Sequence, residues 1–140
     1  MNGYLMLEQG WTPGADLFLE SFSPENRRGV VFEDDGDAAY FYAVEKDLEG
    51  AGLRVLDALH IHERDSDDAP LGDPVDKPLR LQVLWSKDWE KCALLIDGYV
   101  HALFDFETHG GYNINEFPPP NGIWTNGDRR LTDELIRRSF

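Results

Sequence analysis

Two stretches of the chain run as alternating or continuous apolar segments broken at an Asp-Gly pair, and this pattern constrains the fold more than any other. They are VVFEDDGDAAYFYAV, Val30 to Val44, and KCALLIDGYVHALFDF, Lys91 to Phe106. Successive side chains of a strand point to opposite faces. An Asp-Gly pair tolerates the positive φ that a two-residue hairpin turn requires, so both stretches read as antiparallel hairpins. Pairing outward from Asp35-Gly36 places Val30 and Phe32 with Ala39 and Phe41 on one face, and Val31 and Glu33 with Ala38 and Tyr40 on the other. Pairing from Asp97-Gly98 predicts a core face of Ala93, Leu95, Val100, Ala102 and Phe104. The opposite face, with Cys92, Leu94, Ile96, Tyr99, His101, Leu103 and Asp105, is too apolar to stand bare in water and calls for a partial cover.

The remaining elements follow the same logic. Leu79, Leu81, Val83 and Trp85 alternate with polar neighbours as a strand. Leu53 to His62 reads as another, and Tyr4 to Leu7 and Ala15 to Phe22 as shorter ones. At the C-terminus Leu131, Leu135, Ile136 and Phe140 have helical spacing, Asp128 is placed to cap the first turn, and Arg137 and Arg138 suit the negative end of the helix dipole. The expected fold is therefore a single domain over residues 1–140, mainly β within the α+β class. It is an antiparallel sheet of about six to seven strands, shaped as a sandwich or half-barrel, with one C-terminal helix. With 41% apolar and 12% aromatic residues, the chain has material for a real core.

Charge limits the function. The chain carries 27 Asp and Glu against 13 Lys and Arg, a net −14, and such a surface repels phosphate, so no nucleic-acid partner is expected. No apolar run approaches the roughly 18–20 residues of a bilayer span. The N-terminus lacks the basic and apolar regions of a secretory signal. A lone Cys92 cannot form an intramolecular disulfide, and a reduced cytoplasm is the expected home.

Acids gather in two places. Glu33, Asp34, Asp35 and Asp37 sit at the first hairpin tip, where their spacing does not match a calcium-binding loop and solvated charge is the simpler reading. Glu63, Asp65, Asp67, Asp68, Asp73 and Asp76 fill a Pro- and Gly-containing loop at 63–78, where they either keep the loop solvated or steer a basic partner. A second long loop, 107–128, holds three prolines beside Phe117 and Trp124. That is the chemistry of a recognition surface, unless the two aromatics fold back to plug the sheet.

His60 and His62 lie two apart on a predicted strand, so both rings should share a face, with His101 or Asp105 as a further ligand to Zn²⁺. Cys92 and His101 on one hairpin face form a weaker, nucleophilic candidate, since a strand cysteine is ordinarily a small hydrophobe. Phosphate-binding and nucleophile-elbow motifs are absent from the sequence.

The strings VVFEDDGDAAYFYAVE, LDALHIHE, LQVLWS and LLIDGYVHALFDF together resemble a family of small bacterial proteins of unknown function. Its members share an FEDDG-x-x-x-YFYA hairpin and a later LLI-x-G-x-x-HA-x-FDF hairpin. The likeness covers roughly residues 12–125, implies a bacterial cytoplasmic protein, and brings no catalytic residues with it.

Three functions fit these observations. The first is a noncatalytic acidic domain that binds a basic protein, as an immunity or inhibitor protein neutralising a basic toxin would, through Glu33, Asp34, Asp35, Asp65, Asp67, Asp68, Asp73, Asp76, Phe117 and Trp124. This reading needs no cofactor. The second is a zinc enzyme using His60, His62 and a ligand near His101 and Asp105. The third is a β-domain holding a small molecule among Tyr40, Tyr42, Trp85 and Tyr99. Oligomeric state is not encoded in any of these patterns.

Overall fold

The structure is a computed structural model that describes residues 1–47, 52–64 and 78–140. Asp65, Asp67, Asp68, Asp73 and Asp76 lie outside the described residues. In chain order the described strands are β1 (Tyr4–Trp11), β2 (Leu17–Phe22), β3 (Arg28–Asp34), β4 (Ala38–Lys46), β5 (Leu53–Glu63), β6 (Leu79–Trp85), β7 (Lys91–Ile96), β8 (Tyr99–Asp105) and β9 (Gly110–Asn113), followed by the helix α1 (Asp133–Ser139). They form two antiparallel sheets, β1-β6-β7-β8-β9 and β2-β3-β4-β5, whose inner faces pack on each other without closing into a barrel. The strand at Tyr4 is longer than expected, and β9 adds an edge within the expected loop 107–128, where the short run GGYN gives no alternation to read.

Both hairpins form, and each departs from the simplest pairing in an informative way. In the first, Asp34 pairs with Ala39 rather than with Asp37, so the connection is longer than a two-residue turn. The slip is two residues, an even number, so Val30, Phe32, Ala39 and Phe41 still share the core face. Two carboxylates stabilise the longer loop. Asp35 accepts the N–H groups of Asp37 and Ala38 at 2.9 and 3.0 Å. Asp34 accepts from the Trp11 indole at 2.9 Å, the Gly14 amide at 2.8 Å and the Gly36 amide at 2.9 Å.

The second hairpin turns at Asp97-Gly98 as expected, with φ of 51° and 85°. Beyond it, Leu95 pairs with Val100 but Leu94 pairs with Ala102, leaving His101 as an extra residue in a bulge. That single-residue shift exchanges the faces of β7. Cys92, Leu94 and Ile96 enter the core with Ala102 and Phe104, and Ala93, Leu95 and Val100 do not, which corrects the predicted core face. The sequence KCALLI is apolar on both faces, so alternation could not choose between them.

The outward face of this hairpin is covered all the same, since Ala93 and Leu103 are both fully buried outside the core cluster. Tyr112 on β9 pairs with Leu103, and α1 buries Leu135 and Ser139. The helix begins later than predicted. Thr132, not Asp128, is the cap, its hydroxyl accepting the Leu135 amide at 3.1 Å. Residues 129–130 are held extended beside β9, where Asn113 donates to the Arg129 carbonyl and bridges to Arg130, so helical φ and ψ are excluded before Thr132.

Aromatic rings join the two layers. Trp11 stands edge-on to Phe32 at 5.0 Å, Phe41 stacks on Phe104 at 5.2 Å, and the Trp85 indole donates to the Ser21 hydroxyl of the other sheet at 3.0 Å. Asp34→Ala would strand three donors around the Trp11 end of this core. A loss of about 3 kcal/mol of unfolding free energy is expected by urea denaturation. A loss below about 1 kcal/mol would mean that water replaces the carboxylate.

Candidate functional site

Cross-strand pairing assembles an aromatic and acidic surface on the outer face of the β2-β3-β4-β5 sheet. One row runs Phe18, Glu33, Tyr40, His60, and the next runs Glu20, Val31, Tyr42, Ala58. Each member is the outward half of an alternation whose inward half is core, so these side chains share a face by necessity. Tyr40 stacks on Tyr42 at 5.9 Å, and the His60 ring lies edge-on between Tyr40 at 5.2 Å and Phe117 at 5.7 Å. Phe18 is 55% exposed and Phe117 47%. Burial, and then the nearby carboxylates of Glu63 and Asp35, raise the Tyr40 hydroxyl above its ordinary pKa. Burial, followed by Glu33, does the same for Tyr42, so both phenols stay neutral and able to donate.

Phe117 is fixed on this face by backbone bonds. Its carbonyl accepts the His60 amide at 2.9 Å and the Asn113 side-chain amide at 2.8 Å. Asn113 also donates to the His60 carbonyl at 2.8 Å, and Asn115 lies 2.7 Å from His60 Nδ1. The loop carrying Phe117 is anchored in turn by a buried ion pair. The Arg129 guanidinium meets the Asp57 carboxylate through two bonds of 2.8 and 2.7 Å, with side chains 1% and 2% exposed. Thr125 donates to the same carboxylate, and Arg129 donates to the Pro118 and Gly111 carbonyls. A Cβ at Gly111 would lie 2.6 Å from the Asp57 carboxylate, so only glycine fits there.

The other predicted sites come apart. Leu59 and Ile61 share the core face by ordinary alternation, and a bulge at Ile61 then pairs His62 with core-facing Ala39 but His60 with outward Tyr40. The two histidines therefore do not share a face. His62 lies edge-on to Trp11 instead. His101 sits at its own bulge with Nδ1 2.9 Å from the Tyr99 carbonyl, and Asp105 caps the turn after β8 by accepting from Glu107 and Thr108. Among the described residues no three His, Cys, Asp or Glu side chains converge as a metal site. Cys92 is buried opposite Phe104 rather than beside His101, and burial pushes its thiol well above its ordinary pKa, away from the thiolate a nucleophile needs.

Tyr40, Tyr42, Trp85 and Tyr99 do not line one pocket. The first two lie on the outer face, Trp85 is fully buried in the core, and Tyr99 is 75% exposed at a hairpin tip. Of the acids at the first hairpin tip, Glu33 and Asp35 are exposed, but Asp34 is only 2% exposed and satisfied from within, so it cannot meet a partner. Trp124 packs edge-on against Phe104 at 6.1 Å and Phe106 at 5.7 Å, closing one end of the sandwich, while Phe117 remains outside. Phe18, Glu20, Asp57 and Arg129 were not singled out by sequence. LFLESF does alternate, which was a usable signal for Phe18, whereas nothing local links Asp57 to Arg129.

Removing one member of the buried pair leaves the other uncompensated. Arg129→Met is expected to cost about 3–5 kcal/mol by chemical denaturation, with the Arg129→Met/Asp57→Leu double variant milder than either single change. A double variant at least as unstable as the sum of the singles would refute the coupling. Stability should also depend on pH. Burial lowers the pKa of His60, His62 and His101 in the folded chain, so the unfolded chain binds protons first as pH falls. Stability is then complete above the ordinary histidine value of about 6.5 and declines as pH drops through it towards the lowered folded values. Urea midpoints at pH 7.5 and 5.5 test this, with His101→Gln flattening the decline; a midpoint unchanged or higher at pH 5.5 would contradict it.

Among the described residues no helix is long and apolar enough to cross a membrane. The chain is 37% identical over 98 residues to an uncharacterized protein of Haemophilus influenzae, an alignment covering 69% of this chain. It spans just over half, 56%, of that relative's length. No solved structure matches the chain. Residues 11–140, nearly the whole sequence and everything from the end of β1 onward, match the family described as an uncharacterized protein conserved in bacteria (DUF2251), and the chain belongs to that family.

Proposed function

We propose that this protein is a noncatalytic binding domain that docks a basic protein on the outer face of the β2-β3-β4-β5 sheet, as an immunity or inhibitor protein neutralising a basic bacterial toxin would. The observation that carries the reading is the pair of cross-strand rows in which Phe18, Tyr40 and Tyr42 alternate with Glu20 and Glu33. Tyrosine and phenylalanine supply large contact area at low conformational cost, and such residues dominate the energetic centres of interfaces. Among the described residues neither glutamate has a cationic partner, so both carboxylates are available to one from outside. The net charge of −14 adds long-range attraction that raises the association rate for a cationic surface. The acids of 65–76 belong to this proposal through their charge alone.

The test compares the wild type with Glu20→Lys/Glu33→Lys and with Tyr40→Ser/Tyr42→Ser as immobilised baits for bacterial extract, followed by titration of the purified captured protein. A basic protein should bind the wild type stoichiometrically, lose roughly tenfold or more in affinity to either variant, and weaken as salt rises from about 0.05 to 0.5 M. Equal capture by wild type and both variants, or a partner insensitive to salt, refutes the reading.

A further inference from the structure

The inward-facing row of the same sheet changes character at one end. Val30 and Phe32 on β3 and Phe41 and Ala43 on β4 are core, but the next inward positions are Arg28 and Glu45, with Arg54 of β5 opposite Glu45. Across the gap stand Phe106, His109 and Trp124 from the other layer. Between them opens a cleft of about 320 Å³, also bordered by Glu25, Arg27 and Leu56, close to the lower size of small-molecule sites. Three arginines converging on one cleft is unexpected where acids outnumber bases 27 to 13.

Among the described residues their pairing leaves hydrogen-bonding capacity unused. Arg28 is committed, reaching across the layers to both oxygens of Glu90 at 3.2 and 3.3 Å, with its guanidinium over the Phe106 ring. Arg27 and Arg54 instead share a single oxygen of Glu45, at 3.8 and 3.0 Å, and their side chains are 53% and 68% exposed. A guanidinium has five N–H donors in a planar fork suited to an oxyanion. One shared oxygen occupies few of the ten. Opposite them, the His109 ring lies parallel to Trp124, 5.1 Å away and tilted by 12°. Trp124 is buried and His109 exposed, so the indole covers one side of the imidazole and the other is free to take a further ring. His109 holds this position at φ 61°, a left-handed conformation uncommon for a residue with a side chain.

We propose that this cleft binds a small aromatic monocarboxylate, its carboxylate forked by Arg27 and Arg54 and its ring stacked on His109. Glu25 and Glu45 in the lining limit the favoured ligand charge to one, since a dianion would face both carboxylates. The site is separate from the Tyr40 and Tyr42 surface, so it stands or falls independently of the docking reading.

Isothermal titration of the full chain with indole-3-carboxylate, paired with amide NMR, tests the proposal. Saturable binding at or below roughly 1 mM is expected, with shifts at His109, Trp124 and Arg54. Indole-3-carboxamide, which keeps the ring without the charge, and the Arg27→Ala/Arg54→Ala variant should each bind at least about tenfold more weakly. His109→Gly removes the ring while suiting the positive φ, so it should weaken binding at an undiminished melting temperature. Absence of saturable binding, equal affinity for the carboxamide, or unchanged affinity in the arginine variant overturns the site. Tighter binding of adenosine monophosphate than of the carboxylate overturns the charge argument and reassigns the cleft to phosphate esters.

Discussion

Asp57 and Arg129 are both withdrawn from water, and the second half of the structure is arranged to make that tolerable. An ion pair in the interior costs desolvation that its attraction offsets only if the remaining donors and acceptors are also satisfied. Here Thr125 fills the carboxylate, and two carbonyls, of Pro118 and Gly111, fill the guanidinium. Those partners come from β9 and from both arms of the loop that follows it, so satisfying one charge fixes the path of the whole segment. Gly111 must lack a Cβ, Trp124 is brought to the end of the core, and Phe117 is delivered to the outer face beside His60. The same pair joins β5 of one sheet to the segment beside β9 of the other, closing that side of the sandwich by side chains rather than by a strand ladder.

Bulges decide which chemistry reaches which surface. The extra residue at His101 turns Cys92 inward, where its thiol is inert. The irregularity near Ile61 separates His60 from His62, giving one to the tyrosine face and the other to Trp11. Each bulge costs one unpaired residue in a ladder and reassigns every side chain beyond it. The result is an outer face of tyrosines and carboxylates and an inner face whose buried polar groups, Ser21, Asp34 and Asp57, are each bonded from within, with arginines and Glu45 at its last row.

Charge is therefore segregated more finely than its total suggests. Asp34 lies in a run of acids yet contributes nothing to the surface, because it serves as the acceptor for an indole and two amides. Glu33 beside it is exposed in a row with Phe18 and Tyr40. Arg27 and Arg28 are neighbours at the start of β3, and Arg54 of β5 joins them only because β4 lies between those two strands and pairs with both.

The sequence by itself determined every described strand but β9, the two hairpins, the terminal helix and the acidic balance, because each rests on near neighbours: alternation along a strand, an Asp-Gly turn, a helical spacing. It also determined the inner face of the first hairpin, since an even slip in pairing leaves parity intact. Tertiary structure alone decided the inner face of KCALLI, whose two sides are equally apolar, and the start of α1, which had to wait until Arg129 and Arg130 were released from β9. It alone paired Asp57 with Arg129, 72 residues apart, and gathered the arginines at one end of the core. Periodicity reports which side of its own strand a residue occupies; it holds no information about which distant group will share that side, because that depends on strand order, bulges and the need to satisfy every buried charge.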